Sequence, residues 1–124
     1  MSTKTVLYVE DNPFNRKIVR DLLAHTSYRL IEATDGETGL ATAQRELPDL
    51  VIMDIQLPKL SGLEATRRLR ADPQTAHIPI IALTSFALSG DEEKAKAAGA
   101  SAYLAKPYSP RELLQTIRRF APEG

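Results

Sequence analysis

Several short apolar stretches of this chain end in side chains that could do chemistry together. These side chains are three carboxylates, one hydroxyl and one ammonium group, namely Glu10, Asp11, Asp54, Thr84 and Lys106. Carboxylates that lie close together repel one another, and the pKa of at least one of them rises unless a cation offsets the charge. Oxygen ligands of this kind suit a hard divalent ion.

The acidic residues therefore predict a site for Mg²⁺, with Mn²⁺ able to substitute. Asp11 and Asp54 are the expected direct ligands, and Glu10 is expected to act directly or through water. The backbone carbonyl of Gln56, just past the apolar stretch, is well placed to be a further ligand. The chain has no cysteine, and neither of its two histidines follows one of these stretches, so a zinc or copper site is not expected.

A divalent ion, a lysine and a hydroxyl can together neutralise the oxygens of a transferring phosphoryl group. The chain contains no Walker glycine loop to cradle a nucleotide, and no histidine, cysteine or serine stands at these ends with a base beside it. The remaining nucleophile is a carboxylate, which can form an aspartyl phosphate. Asp54 is the best candidate because it lies between the contributions of its neighbours.

Alternating strands and helices must position these side chains. Apolar or β-branched runs predict strands at 5–9, 28–33, 50–54, 78–84 and 102–105. The run at 28–33 is less uniformly apolar, which predicts an edge strand. Five alternations imply one parallel sheet covered by helices on both faces. In such a sheet the carboxyl ends of the strands meet at one edge, where ligands bind.

Capping signals mark where the helices begin. Asn12 followed by Pro13 predicts the first start. The other four starts share the spacing of a capping box, which is found at Thr34, Ser61, Ser89 and Ser109.

Apolar spacing predicts which helix residues face inward. The first helix should bury Phe14, Ile18 and Leu22 together with Val19 and Leu23. The second should bury Leu40, Ala43 and Leu47. The fourth should bury only alanines, Ala95, Ala97 and Ala98, and so be the least firmly anchored.

Composition narrows the class of protein. The 124 residues suit a single domain spanning 1–124, and 43% of them are hydrophobic. Sixteen basic residues balance sixteen acidic ones, which argues against a nucleic-acid-binding protein. No apolar run approaches the length of a membrane span, and the chain is expected to be a cytoplasmic monomer.

Four motifs resemble the receiver domain of two-component response regulators over nearly the whole chain. They are Glu10-Asp11-Asn12, Met53-Asp54-Ile55-Gln56-Leu57-Pro58 with Gly62, Leu83-Thr84, and Lys106-Pro107. The first of these motifs and the segment 90–94 are especially similar to single-domain regulators of the DivK type and to hybrid-kinase receivers. The resemblance implies a flavodoxin-like, doubly wound α/β fold with five helices and a five-stranded parallel sheet of order 2-1-3-4-5.

The resemblance also implies a function and assigns roles to residues. Asp54 would take a phosphoryl group, in a magnesium-dependent reaction, from a histidine kinase or a histidine phosphotransfer protein. Lys106 would bind that group, Thr84 would swing towards it, and Tyr103 would be the switch aromatic residue. Lys106–Pro107 would be a cis peptide. Such a protein catalyses only its own phosphorylation and dephosphorylation.

Output and phosphoryl lifetime are implied in the same way. The helix after Thr84, the strand of Tyr103 and the final helix would form a face that contacts a downstream protein. Gln56 and Phe86 occupy the positions that tune the lifetime of the acyl phosphate in this family. We expect slow self-hydrolysis because an apolar Phe86 cannot position an attacking water.

Three alternatives remain open on the sequence. A magnesium-dependent aspartyl-phosphate phosphatase would need a second acid two residues after Asp54, where this chain has Gln56. A flavodoxin-like cofactor binder would be disfavoured because Glu10 and Asp11 repel an anionic cofactor. A phosphorylation-independent interaction module is the third alternative. Plainer readings also exist for single residues: Tyr103 as core, and Gly36 and Gly62 as first-turn helix glycines.

Overall fold

The computed structural model describes residues 3–84 and 90–123. In this part of the chain five strands alternate with five helices. The elements are β1 (Thr5–Val9), α1 (Pro13–Leu23), β2 (Arg29–Ala33), α2 (Gly36–Glu46), β3 (Leu50–Asp54), α3 (Gly62–Ala71), β4 (Ile80–Thr84), α4 (Asp91–Ala98), β5 (Ala102–Ala105) and α5 (Pro110–Phe120).

The strands form one parallel sheet in the order β2-β1-β3-β4-β5. This confirms the predicted flavodoxin-like topology and the edge position of β2. The register pairs Val9 with Met53, Asp54 with Leu83, and Thr84 with Ala105. The carboxyl ends of the central strands are therefore nearly level, and the side chains that follow them share one edge.

Alternating residues of the strands build a core on each face of the sheet. On one face Tyr8 of β1 and Ile52 of β3 pack with residues of α1 and α5. On the other face Leu7 and Val51 pack with residues of α2 and α3. Strands β1 and β3 have helices packed on both faces, which explains why their sequences are almost continuously apolar. None of the helices in the described ranges is long and apolar enough to cross a membrane.

The helix starts agree with the capping prediction at three places. The side chains of Asn12, Ser61 and Ser109 each accept a backbone N–H from the first turn of their helix. The start of α2 was predicted one residue too early, because Asp35 rather than Thr34 caps the helix by accepting the Thr38 N–H. Both residue types cap well, so the local pattern could not separate them.

Two further predictions at helix ends need correction. Helix α4 has Gly90 at its N-cap position, one residue after the predicted Ser89, which lies outside the described residues. Leu47 was predicted to face the core but is 50% exposed. It is the C-cap residue of α2 and adopts a left-handed conformation with φ of 49°, which turns its side chain out of the helix face.

The inward faces of α1 and α4 were predicted only in part. Val19 and Leu23 are buried, but Phe14 and Ile18 are 70% and 39% exposed. Residues one position apart are rotated by about 100° around a helix, so the two stripes cannot both face the sheet. Ala97 of α4 is likewise exposed, although Ala95 and Ala98 are buried.

Candidate functional site

The carboxyl ends of β1, β3 and β5 bring three acids and one lysine together. Carboxylate oxygens of Glu10, Asp11 and Asp54 lie within 4.8 Å of one another. The Nζ of Lys106 donates to Asp54 Oδ2 at 3.1 Å and to Glu10 Oε1 at 3.0 Å. Glu10 and Asp54 are buried, whereas Asp11 is exposed, so the cluster opens to water on one side.

The charges of this cluster do not balance. Burial alone lowers the pKa of Lys106, but the hydrogen bond to Glu10 and the charge of Asp54 outweigh burial and raise that pKa above its usual value. Lys106 therefore remains an ammonium group. Three carboxylates then face one ammonium, which leaves an excess of two negative charges when all four groups are ionised. A divalent cation would cancel this excess.

The donor atoms at this site fit a hard metal ion. They are carboxylate oxygens, and the exposed side of Asp11 leaves room for the water ligands that Mg²⁺ usually keeps. The backbone of Gln56 lies against the cluster, because its N–H donates to Asp54 Oδ1 at 2.8 Å. Asp54 is therefore fixed by donors to both of its oxygens, the Gln56 amide and the Lys106 ammonium.

Thr84 is the last residue of β4, and Tyr103 lies in the neighbouring strand β5, where it pairs with Ala82. Thr84 is buried, and its hydroxyl donates to Asp91 Oδ2, in the first turn of α4, at 3.3 Å. Burial and the nearby acids Asp91 and Glu92 raise the pKa of Tyr103, while its hydrogen bond with Thr84 acts in the opposite direction. Tyr103 packs against the small core beneath that helix.

The predicted cis peptide and the two predicted lifetime positions can be compared with the structure. The Lys106–Pro107 peptide bond is cis. Phe86, predicted to tune phosphoryl lifetime, lies outside the described residues. Gln56, the other lifetime position, is exposed at the mouth of the cluster.

Two residues that sequence reasoning missed support the acidic pair. The Nη1 of Arg16 donates to the backbone carbonyls of Glu10 and Asp11, both at 3.0 Å. The hydroxyl of Tyr8 donates to Glu10 Oε1 at 3.2 Å. Tyr8 carried a signal, because residues two apart in a strand point to the same face. The contact of Arg16 depends on how α1 packs, and the sequence pattern holds no sign of it.

The fold and the site together define a class of protein: a flavodoxin-like α/β domain with an acidic, lysine-containing site at the carboxyl edge of its sheet. Residues 6–118 match the sequence profile of the response regulator receiver domain. The chain therefore belongs to the response regulator receiver family, and the predicted resemblance is confirmed.

Individual relatives agree with this assignment. The chain is 45% identical over 118 residues to the polar-differentiation response regulator DivK of Brucella abortus (strain 2308). These residues make up 95% of this chain and 96% of the relative. The receiver domain of the sensor histidine kinase PA1611 from Pseudomonas aeruginosa PAO1 is 39% identical, with a TM-score of 0.88 and coverage of 96% of this chain and 98% of that chain. Its crystal structure has a magnesium ion coordinated in the active site cleft.

A second solved structure is that of a chemotaxis response regulator. CheY4 of Vibrio cholerae is 33% identical, has a TM-score of 0.89, and its alignment covers 96% of this chain and 99% of that chain. The chain thus shares its fold with a receiver domain of a sensor histidine kinase and with a chemotaxis response regulator.

Proposed function

We propose that this chain is a phosphorylation switch in a two-component system. Asp54 accepts a phosphoryl group from the phosphohistidine of a histidine kinase or a histidine phosphotransfer protein. The observation that carries the proposal is the setting of Asp54, whose two carboxylate oxygens bind the Gln56 amide and the Lys106 ammonium beside an acidic cluster. Residues 1–124 act as a single receiver domain.

The chemistry follows from that setting. The bond from phosphorus to the donor's imidazole nitrogen breaks as a bond forms from phosphorus to an oxygen of Asp54, and the imidazole keeps the electron pair. The Nζ of Lys106 lies 3.1 Å from Asp54 Oδ2, so it is close enough to bind the negatively charged oxygens of the arriving phosphoryl group. The Gln56 amide holds the other oxygen and keeps the carboxylate from rotating.

We propose Mg²⁺ as the resident cation, with Mn²⁺ able to substitute. Glu10, Asp11, Asp54 and the backbone carbonyl of Gln56 would hold it. When bound it supplies positive charge to the phosphoryl oxygens and so lowers the repulsion that the acidic cluster presents to them. The excess of negative charge at the cluster and its oxygen donors support this choice.

The signal leaves the site through Thr84 and Tyr103. Thr84 moves towards the phosphoryl group, and this movement breaks its hydrogen bond to Asp91 and frees the first turn of α4. The output surface is the face formed by α4, β5 and α5, which contacts a downstream protein. The short apolar contact of α4, limited mainly to Ala95 and Ala98, suits an element that must rearrange.

The experiment that tests the proposal incubates the chain with acetyl phosphate and Mg²⁺ and follows its intact mass. The expected result is the gain of one phosphoryl group, which disappears in EDTA and in the Asp54→Asn variant. Phosphorylation that persists without divalent metal, or in that variant, overturns the mechanism. Multiple-turnover hydrolysis of phosphomonoesters would favour a phosphatase instead.

Lys106→Met should make stability depend more strongly on Mg²⁺. The change keeps an apolar stem and removes the ammonium group between Glu10 and Asp54. Two carboxylates are then left without this counter-charge, so we expect the metal-free variant to lose about 2 kcal/mol of unfolding free energy. Mg²⁺ replaces part of that charge and should stabilise the variant more than the wild type.

Urea unfolding of both proteins with and without Mg²⁺ measures this effect. Lys17→Met is the matched control, because Lys17 forms an exposed ion pair with Asp21 and should change stability by less than about 0.5 kcal/mol. Equal stabilisation of the Lys106→Met variant and the wild type by Mg²⁺ would contradict the role of Lys106 as a counter-charge.

The phosphohistidine donor should dock on the exposed side of α1. Phe14 and Ile18 are exposed there, and Ile18 lines a groove together with Lys106, Pro107 and Tyr108. Because Lys106 also contacts Asp54, a partner seated in this groove brings its phosphohistidine next to the acceptor. We propose that the occupant is an apolar helix face of the histidine-bearing donor.

Phe14→Ser should therefore separate the two kinds of donor. We expect phosphotransfer from the protein donor that acts fastest on the wild type to fall about tenfold, the effect of losing one interface anchor. Phosphorylation by acetyl phosphate should stay unchanged, because Phe14 is 70% exposed and supports no core packing. Leu47→Ser, at an exposed leucine that precedes the amino end of β3, is the control. An equal loss in both variants, or no loss in Phe14→Ser, would argue against this docking face.

A further inference from the structure

A buried tyrosine lies directly beneath the acidic cluster. Tyr8 is fully buried, and its hydroxyl donates to Glu10 Oε1 at 3.2 Å. Its ring packs in the core between the sheet and helices α1 and α5. The core therefore contributes one hydroxyl group to the site, and this hydroxyl binds a carboxylate that we expect to be a metal ligand.

The two oxygens of Glu10 have different neighbours. Oε1 accepts from the Lys106 ammonium at 3.0 Å and from the Tyr8 hydroxyl at 3.2 Å. Within the described residues, Oε2 accepts only the backbone N–H of Asn12, at 3.2 Å. A carboxylate oxygen can accept two bonds, so Oε1 is filled and Oε2 keeps capacity for a ligand.

We infer that Tyr8 is a positioning residue that fixes the orientation of Glu10 and thereby sets the affinity of the acidic cluster for a divalent cation. This inference rests on the proposed function and deepens it. Without the Tyr8 hydroxyl, Oε1 keeps only the bond to Lys106, and the carboxylate can follow the ammonium towards Asp54. Hydrogen-bond partners of metal ligands commonly change metal affinity by about 10- to 100-fold.

Tyr8→Phe tests this because it keeps the ring and removes the hydroxyl. Calorimetric titration with Mg²⁺ alone should show roughly tenfold weaker binding. The Mg²⁺ concentration that gives half-maximal phosphorylation by acetyl phosphate should rise by the same factor. The rate at saturating Mg²⁺ should stay within about twofold of the wild type, because Asp54 and Lys106 keep their contacts with the Gln56 amide and with each other.

Tyr28→Phe is the matched control. It removes another buried tyrosine hydroxyl, which donates to the Ala121 carbonyl at 2.6 Å. We expect this variant to lose stability and to bind Mg²⁺ as the wild type does. An equal loss of Mg²⁺ affinity in Tyr28→Phe would assign the effect to general destabilisation and overturn the inference.

Unchanged Mg²⁺ affinity in Tyr8→Phe would overturn the inference. Failure of the wild type to bind Mg²⁺ would instead overturn the proposed function.

Discussion

Asp54→Asn is expected to abolish acceptance of the phosphoryl group, with the rate of phosphorylation by acetyl phosphate falling by at least about a thousandfold. An amide has no anionic oxygen to attack phosphorus, although it has nearly the same shape as the carboxylate. The surrounding donors do not compensate, since the Gln56 amide and the Lys106 ammonium can hold the new side chain but cannot make it a nucleophile. The fold should persist because the volume at the end of β3 is unchanged.

Intact-mass measurement over time, with Mg²⁺ and acetyl phosphate, gives both rates directly. Asp49→Asn is the matched control, because Asp49 lies just before the other end of β3, where its carboxylate accepts the Thr5 N–H at 2.7 Å. That variant should be phosphorylated as fast as the wild type. Phosphorylation of Asp54→Asn at a rate near that of the wild type would show that another residue accepts the group.

The fold and the main site residues could be predicted because they depend on local patterns and one topological rule. Continuous apolar runs indicated buried strands, and alternation with helices indicated a parallel sheet. Once the sheet is parallel, the residues after its strands must share an edge. That rule alone brought Glu10, Asp54 and Lys106 together, as the distances between them now show.

The sequence could not show which of two equally spaced apolar stripes of α1 faces the sheet, because tertiary packing decides this. Phe14 with Ile18 and Val19 with Leu23 are two stripes of the same spacing on one helix, and only contact with the sheet decides between them. Phe14 and Ile18 were wrongly predicted to be buried. Their exposure is informative because Ile18 lies in a groove beside Lys106, and it is the basis for the predicted docking face.

The supporting residues were missed for a different reason. Glu10 was assigned from its own type, whereas Tyr8 and Arg16 matter only through distances of about 3 Å to that acid and its backbone. Tyr8 stood in a run that already had a full explanation as a buried strand. A polar atom on a core residue, two positions before a functional acid, is the signal that could have separated it from its neighbours.

Gly62 shows most clearly how a residue without a side chain can control the acceptor. Its place at the first turn of α3 is consistent with the reading as a helix glycine, but the structure adds a stricter reason. A Cβ at this position would lie 2.0 Å from the Asp54 carbonyl oxygen and 2.7 Å from the Ile55 Cα. Both are backbone atoms that cannot move without moving the end of β3. The Gly62 N–H also donates to the Ile55 carbonyl at 3.2 Å.

Gly62→Ala should therefore damage both stability and phosphorylation. We expect a loss of about 3 kcal/mol of unfolding free energy, at the upper end of overpacking effects, because backbone must shift. The shift also displaces Asp54 from the Gln56 amide and from Lys106, so phosphorylation should slow even at temperatures where the variant is fully folded. Gly99→Ala is the control, because its φ of 111° strains an alanine and its Cβ would meet only the Arg70 side chain, so stability should fall without a contact to the end of β3. Urea unfolding and the acetyl phosphate reaction measure the two effects. A Gly62→Ala protein that is destabilised but phosphorylated at the normal rate would mean that the position of Asp54 does not depend on this contact.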